Sequence, residues 1–130
     1  MTPHLEKIIG FAHRLDLEII QTNGADELIV VNAEEKGVFH LILDCEDPIL
    51  VMEQLIYDVK KPSLEHFTRL LQMNRSLVHG AFILDEKGER VIFRDTLQIE
   101  NLDFNEFEGT INALTLGLAE FSTELMRLNN

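Results

Sequence analysis

Residues 81–128 read AFILDEKGERVIFRDTLQIENLDFNEFEGTINALTLGLAEFSTELMRL, and this stretch decides the fold. Two apolar runs, Ala81 to Leu84 and Arg90 to Leu97, flank Asp85-Glu86-Lys87-Gly88-Glu89. That pattern predicts a β-hairpin, with Gly88 supplying the positive φ a tight turn requires. Asp103 then stands where a helix N-cap belongs, and Glu106 is placed to reach back to it in a capping box. Phe104, Phe107, Ile111, Leu114, Leu118, Phe121, Leu125 and Leu128 follow in alternating steps of three and four. The spacing predicts one long helix with a narrow apolar seam over about 25 residues, roughly 37 Å at 1.5 Å per residue. A seam of this kind commonly covers a sheet. The sharper alternative is that part of it pairs with another subunit.

Upstream of the hairpin, Pro62-Ser63 marks the start of another helix, with Leu64, Phe67, Leu70 and Leu71 on its apolar face and Leu77 near its end. Before it lie two clear strands, Glu27 to Asn32 and Val38 to Asp44, joined by the polar turn Glu34-Glu35-Lys36-Gly37. Strict alternation puts His40 on the face of Val38 and Ile42, opposite Phe39, Leu41 and Leu43. Asp47-Pro48 could open a helix, but the β-rich Ile49-Leu50-Val51 and Ile56-Tyr57 make Asp47 to Val59 a strand. Thr2-Pro3 starts a first helix whose apolar face is Leu5, Ile8, Ile9, Ala12 and Leu15. Between that helix and the strands, Asp16 to Asn23 changes period. The expected order is α-β-β-β-α-β-β-α, an α+β fold with an antiparallel sheet and three helices, forming a single domain over residues 1–130.

Composition sets bounds on function. The 130 residues are 45% apolar, with only seven glycines and three prolines, which excludes a disordered or collagen-like chain. The net charge is −12, divided as −7 over residues 1–61 (12 acids, 5 bases) and −5 beyond them (11 acids, 6 bases). So even a spread is no acidic tail, and it repels phosphate backbones and anionic lipid headgroups. Neither nucleic acid nor membrane insertion is expected, since no apolar run approaches the roughly 20 residues that span a bilayer. Met1 to Lys7 lacks the cationic and apolar regions of a signal peptide, and the lone Cys45 forbids an intrachain disulfide. A cytoplasmic, unprocessed protein is the expectation.

Residue patterns for chemistry are sparse. His4, His13, His40, His66 and His79 are scattered, with no i, i+4 pair and none beside Cys45, so a metal site and surface or partly buried histidines are weighed in favour of the latter. Asp44, Glu46 and Asp47 form the densest carboxylate group, but Pro48 and the apolar run after it break a calcium loop. In Asn101-Asp103-Asn105, the required glycine and terminal acid are replaced by Glu106 and Asn112. Acidic neighbours disfavour a Cys45 thiolate. There is no G-x-S-x-G elbow and no glycine-rich phosphate loop. No catalytic residue, metal or cofactor is therefore expected. Three amphipathic helices do offer more apolar surface than one small sheet obviously needs, and such surplus marks a binding or dimer face.

One whole-pattern resemblance is present. Leu70-Leu71-Gln72-Met73-Asn74, His79 to Gly88, Arg90-Val91-Ile92-Phe93, Leu97 to Asp103 and the long final helix together resemble the class I type III secretion chaperones of bacteria, the Tir-chaperone family, and the structurally similar YbjN-like proteins. The likeness covers about Ser63 to Leu128 well, and the first half by element order, size and acidity. It implies a small acidic α+β homodimer, with Leu64, Phe67 and Leu71 of the second helix at the dimer interface. It further implies a non-enzymatic module that holds an extended partner segment on apolar patches and strand edges. A YbjN-like regulatory or adaptor role in stress or envelope signalling is the alternative.

Overall fold

The structure, a computed structural model, describes residues 1–130. Helix α1 spans Pro3–Arg14, and the Thr2 hydroxyl caps it by accepting from the Leu5 amide at 3.2 Å. Strands β1 (Glu18–Asn23), β2 (Leu28–Ala33), β3 (Val38–Glu46) and β4 (Ile49–Asp58) follow. Helix α2 (Leu64–Met73) precedes β5 (Ala81–Leu84) and β6 (Arg90–Gln98), and α3 (Phe104–Leu128) closes the chain. The expected order holds, with Asp47 to Val59 a strand, and the segment of changed period near Asp16 to Asn23 adds β1 to the first block of strands. All six strands join in one antiparallel sheet ordered β1-β2-β3-β4-β6-β5, which leaves β1 and β5 as the edges.

One face of the sheet and the helices build a continuous core. Ile29, Val31, Leu41, Leu43, Leu50, Met52, Val91 and Phe93 meet Leu5 and Ile8 of α1 and Phe107, Ile111 and Leu114 of α3. Each fully buried side chain of this kind contributes roughly 1.5–3 kcal/mol. The α3 seam is therefore spent on the core: Phe107, Ile111, Leu114, Phe121, Leu125 and Leu128 are all buried. At its start the Asp103 carboxylate accepts from the Glu106 amide at 2.8 Å, the forward half of the capping box. Gly88 supplies the turn of the β5–β6 hairpin at φ 70°.

Two parts of the sequence reading are corrected. The first is the parity of β3. Val31 and Ala33 of β2, two positions apart, pair with Leu41 and Val38 of β3, three positions apart, so β3 bulges and His40 adopts φ 50°. The extra residue turns Val38 inward with Leu41 and Leu43 and leaves Phe39 49% exposed, against strict alternation. Buried Gln54 of β4 holds the bulge: its Oε1 accepts from the Phe39 amide at 3.0 Å, and its Nε2 donates to the Gly37 carbonyl at 3.0 Å.

The second correction concerns α2. Its inward residues are His66, Leu70 and Met73, whereas Leu64 and Leu71 are 85% and 72% exposed and Phe67 is half-buried. His66 is fully buried, not a surface or partly buried histidine. The Lys61 carbonyl can only accept, so Nδ1–H donates to it (2.9 Å), and Nε2 shares a hydrogen bond with the Tyr57 hydroxyl (2.7 Å). Because Tyr57 pairs with the inward-facing Val91, this contact fixes α2 on the same side of the sheet as α1 and α3.

Candidate functional site

Placing all three helices on one side leaves the other side of the sheet open. The surplus apolar surface is thus divided: Ile20, Phe39, Ile42 and Leu55 expose it on strands, and Leu64, Leu71, Leu116 and Met126 expose it on α2 and α3. Register fixes the rows across this face: Asn23, Leu28, Asp44, Val51 and Thr96 in one, then Gln21, Val30, Ile42, Glu53, Arg94 and Ala81 in the next. A further row pairs Leu55 with Ile92 and Ile92 with Ile83. Ile42 and Leu55 are 40% and 52% exposed, and Leu28, Val30, Val51, Ile83 and Ile92 are half-buried. Exposed and half-buried apolar side chains on a sheet face that no helix covers make it a candidate docking surface.

The two edges differ. Along β5 the Asn74 side chain replaces a neighbouring strand: its Oδ1 accepts from the Phe82 amide at 2.8 Å and its Nδ2 donates to the Phe82 carbonyl at 3.1 Å. An incoming strand would have to displace it. At the opposite edge, no backbone group of β1 has a hydrogen bond outside its ladder with β2. An extended peptide can add there by main-chain pairing.

The open face runs into an acidic depression of about 740 Å³ at the end of the sheet, lined by Asp26, Glu27, Asp44, Glu46 and Asp47 with Thr2 above. Burial, chiefly, pushes the Asp44 carboxyl up to about 6, helped by Glu46, to which the protonated acid can donate, and by the charges of Asp26 and Glu53. Cys45, facing the core, is pushed up to about 11 by burial first and then by Glu27, Asp44 and Glu46. It stays a thiol at neutral pH. No three or more His, Cys, Asp or Glu side chains gather in a geometry that could hold a metal ion. No helix is long and apolar enough to cross a membrane.

Of the residues singled out on α2, Leu64 and Leu71 stand on the surface, while Phe67 and Leu71 line a groove of about 340 Å³ with Leu70, Phe82, Ile83 and Leu84. Sequence reasoning missed the outer strand face and the Asn74 lock. Apolar residues at Val30, Ile42, Val51 and Leu55 were a usable signal for the first, because a solvated face normally carries polar residues at those alternate positions.

The family model CesT_Tir_1 matches residues 1–130, extending the resemblance beyond residues 63–128. No curated protein matches the sequence. Among solved structures, E. coli YbjN superposes with a TM-score of 0.69 at 14% identity, covering 94% of this chain and 93% of that one. A chain of the HopA1–SchA chaperone–effector complex gives a TM-score of 0.61 at 15% identity over 88% and 91% of the two chains. A chain of the heterodimeric ExoU–SpcU complex, from the type III secretion system of Pseudomonas aeruginosa, gives 0.55 at 18% identity over 69% and 74%. At these identities the likeness is one of fold.

Proposed function

The chain belongs to the CesT_Tir_1 family, and from that premise we propose that it is a non-enzymatic, chaperone-like binding protein that works as a cytoplasmic homodimer and holds an extended segment of a partner polypeptide. One observation carries the reading. Three helices on one side of a six-stranded sheet leave an apolar face and the β1 edge available to a partner, while the β5 edge is closed by Asn74. Main-chain pairing at an edge supplies affinity, and the apolar rows select side chains. The negative charge keeps such a surface in solution. The similar chain from the HopA1–SchA structure belongs to a chaperone–effector complex, in keeping with this role.

The dimer contact is assigned to α2, with Leu64, Phe67 and Leu71. Leu64 and Leu71 expose large apolar side chains beside the groove against β5, and an isologous pairing would bury both copies of each at once. Size-exclusion chromatography with light scattering tests this. The expected mass is twice 14.9 kDa at micromolar concentration, falling to one chain in Leu64→Asp and Leu71→Asp. Those variants replace exposed residues and keep the fold. A wild-type monomer would sink the dimer, and a mass unchanged in both variants would sink its assignment to α2.

The superposition on YbjN over nearly the whole of both chains favours a second reading, a regulatory or adaptor protein. A client encoded beside this chain and recovered in a stoichiometric complex with it supports the first reading against the second.

A further inference from the structure

Granted the partner-holding reading, on which this inference rests, the partner must present particular side chains, and the open face carries a chemical signature of them. Two carboxylates stand among apolar neighbours in its middle rows. Glu53 has its cation, since Arg94 Nε donates to it at 2.7 Å. Asp44 has none. Its Oδ1 is closed off from solvent with no hydrogen-bond partner, between Leu28 on β2 and Val51 on β4. The charges that act on it are Glu46 of the same strand, Asp26 of the β1–β2 turn and Glu53 of β4, all acidic. Arg94 of β6, the base in the next row, is already engaged by Glu53. A carboxylate held in such surroundings without a cation is costly, and a bound cation that reaches the part of Asp44 left exposed lowers that cost.

We propose that this face docks an extended partner segment that lays alternate apolar side chains over Val30, Ile42, Val51 and Leu55 and brings a lysine or arginine onto Asp44. Charge decides between possible occupants. A second copy set face to face would add its own Asp44 and Glu53, with its one central base already paired, to a chain of net charge −12. A foreign segment with a basic residue complements the face instead. The alternate side chains of an extended peptide repeat every ~6.7 Å, the same interval as Val51 to Glu53 to Leu55 along β4, so apolar and basic contacts can be made together.

The test is selection of random twelve-residue displayed peptides at pH 7.5 against the full chain, as wild type and as Asp44→Asn. The wild type is expected to enrich peptides with a lysine or arginine flanked at alternate positions by apolar residues. Asp44→Asn is expected to keep the apolar alternation and lose the basic preference, although its net charge changes by only one. A wild-type-selected peptide should bind Asp44→Asn at least tenfold more weakly. Its affinity for the wild type should fall towards that of Asp44→Asn near pH 5, where Asp44 takes up a proton. Ile42→Ser, at an already exposed position, should weaken the same peptide without disturbing the fold. Enriched peptides with no basic residue, or an equal basic preference in Asp44→Asn, would overturn this inference and leave the partner-holding reading standing. A dimer that dissociates in Ile42→Glu would give the face to a second copy and overturn it too. Failure to enrich any peptide would overturn the partner-holding reading itself.

Discussion

Replacing Asn74 with alanine asks whether one side chain closes an edge of the sheet. Its two hydrogen bonds, 2.8 Å from the Phe82 amide and 3.1 Å to the Phe82 carbonyl, satisfy outward-pointing backbone groups of β5 that no strand covers. A protein hydrogen bond contributes about 0.5–1.5 kcal/mol net, and an orphaned buried group costs about 1–3 kcal/mol. Asn74 is only half-buried, so water reaches the vacated edge and holds the combined loss to about 1–3 kcal/mol. In a chain of this length, that lowers the melting temperature by roughly 4–12 °C. Urea unfolding should show a lower midpoint with an unchanged slope, and hydrogen exchange should show the Phe82 amide losing protection. Asn74→Asp is the informative companion. It keeps an acceptor for the amide but sets a carboxylate against the carbonyl, so Phe82 should stay protected while stability still falls. If Asn74→Ala unfolded within about 0.5 kcal/mol of wild type with the Phe82 amide still slow, the edge would owe its closure to something else.

The geometry fixes two other outcomes. A Cβ at Gly80 would lie 2.5 Å from Cζ of the buried Phe93 and 3.1 Å from the Arg94 carbonyl, at a φ of 72°; Gly80→Ala should therefore cost about 2–5 kcal/mol by thermal unfolding, through strain and overpacking together. Asp44 has a folded-state value of about 6, above its ordinary 3.8, so the folded chain binds the extra proton and stability falls as pH rises from about 4 to 6. Asp44→Asn should accordingly stabilise the chain at pH 7.5 by about 1 kcal/mol, after discounting for solvent screening, with no gain near pH 4; a gain independent of pH would refute the assignment.

Much of the architecture was legible because it is local. The three-and-four steps from Phe104 to Leu128, the Asp103 and Thr2 caps and the glycine turn at Gly88 each report the geometry of a single element. The family likeness was legible for the same reason: it follows the succession of such elements. Parity on β3 was not, since the bulge at His40 puts a non-glycine residue at positive φ and is held by Gln54, 14 residues away in sequence. The buried role of His66 likewise depends on Tyr57 from a different element.

What the sequence determined by itself is that this chain builds an antiparallel sheet with three amphipathic helices and no recognisable catalytic or metal-binding pattern. Only the tertiary structure decided where the spare apolar surface goes. Periodicity tells which side of an element is apolar, but not which side of the sheet a helix will choose. On strands β2, β3, β4 and β6, apolar residues occupy both faces, so their alternation could not name the covered one. Packing made that choice: His66 and Tyr57 tie α2 to the side already taken by α1 and α3, and Val30, Ile42, Val51 and Leu55 are left facing out.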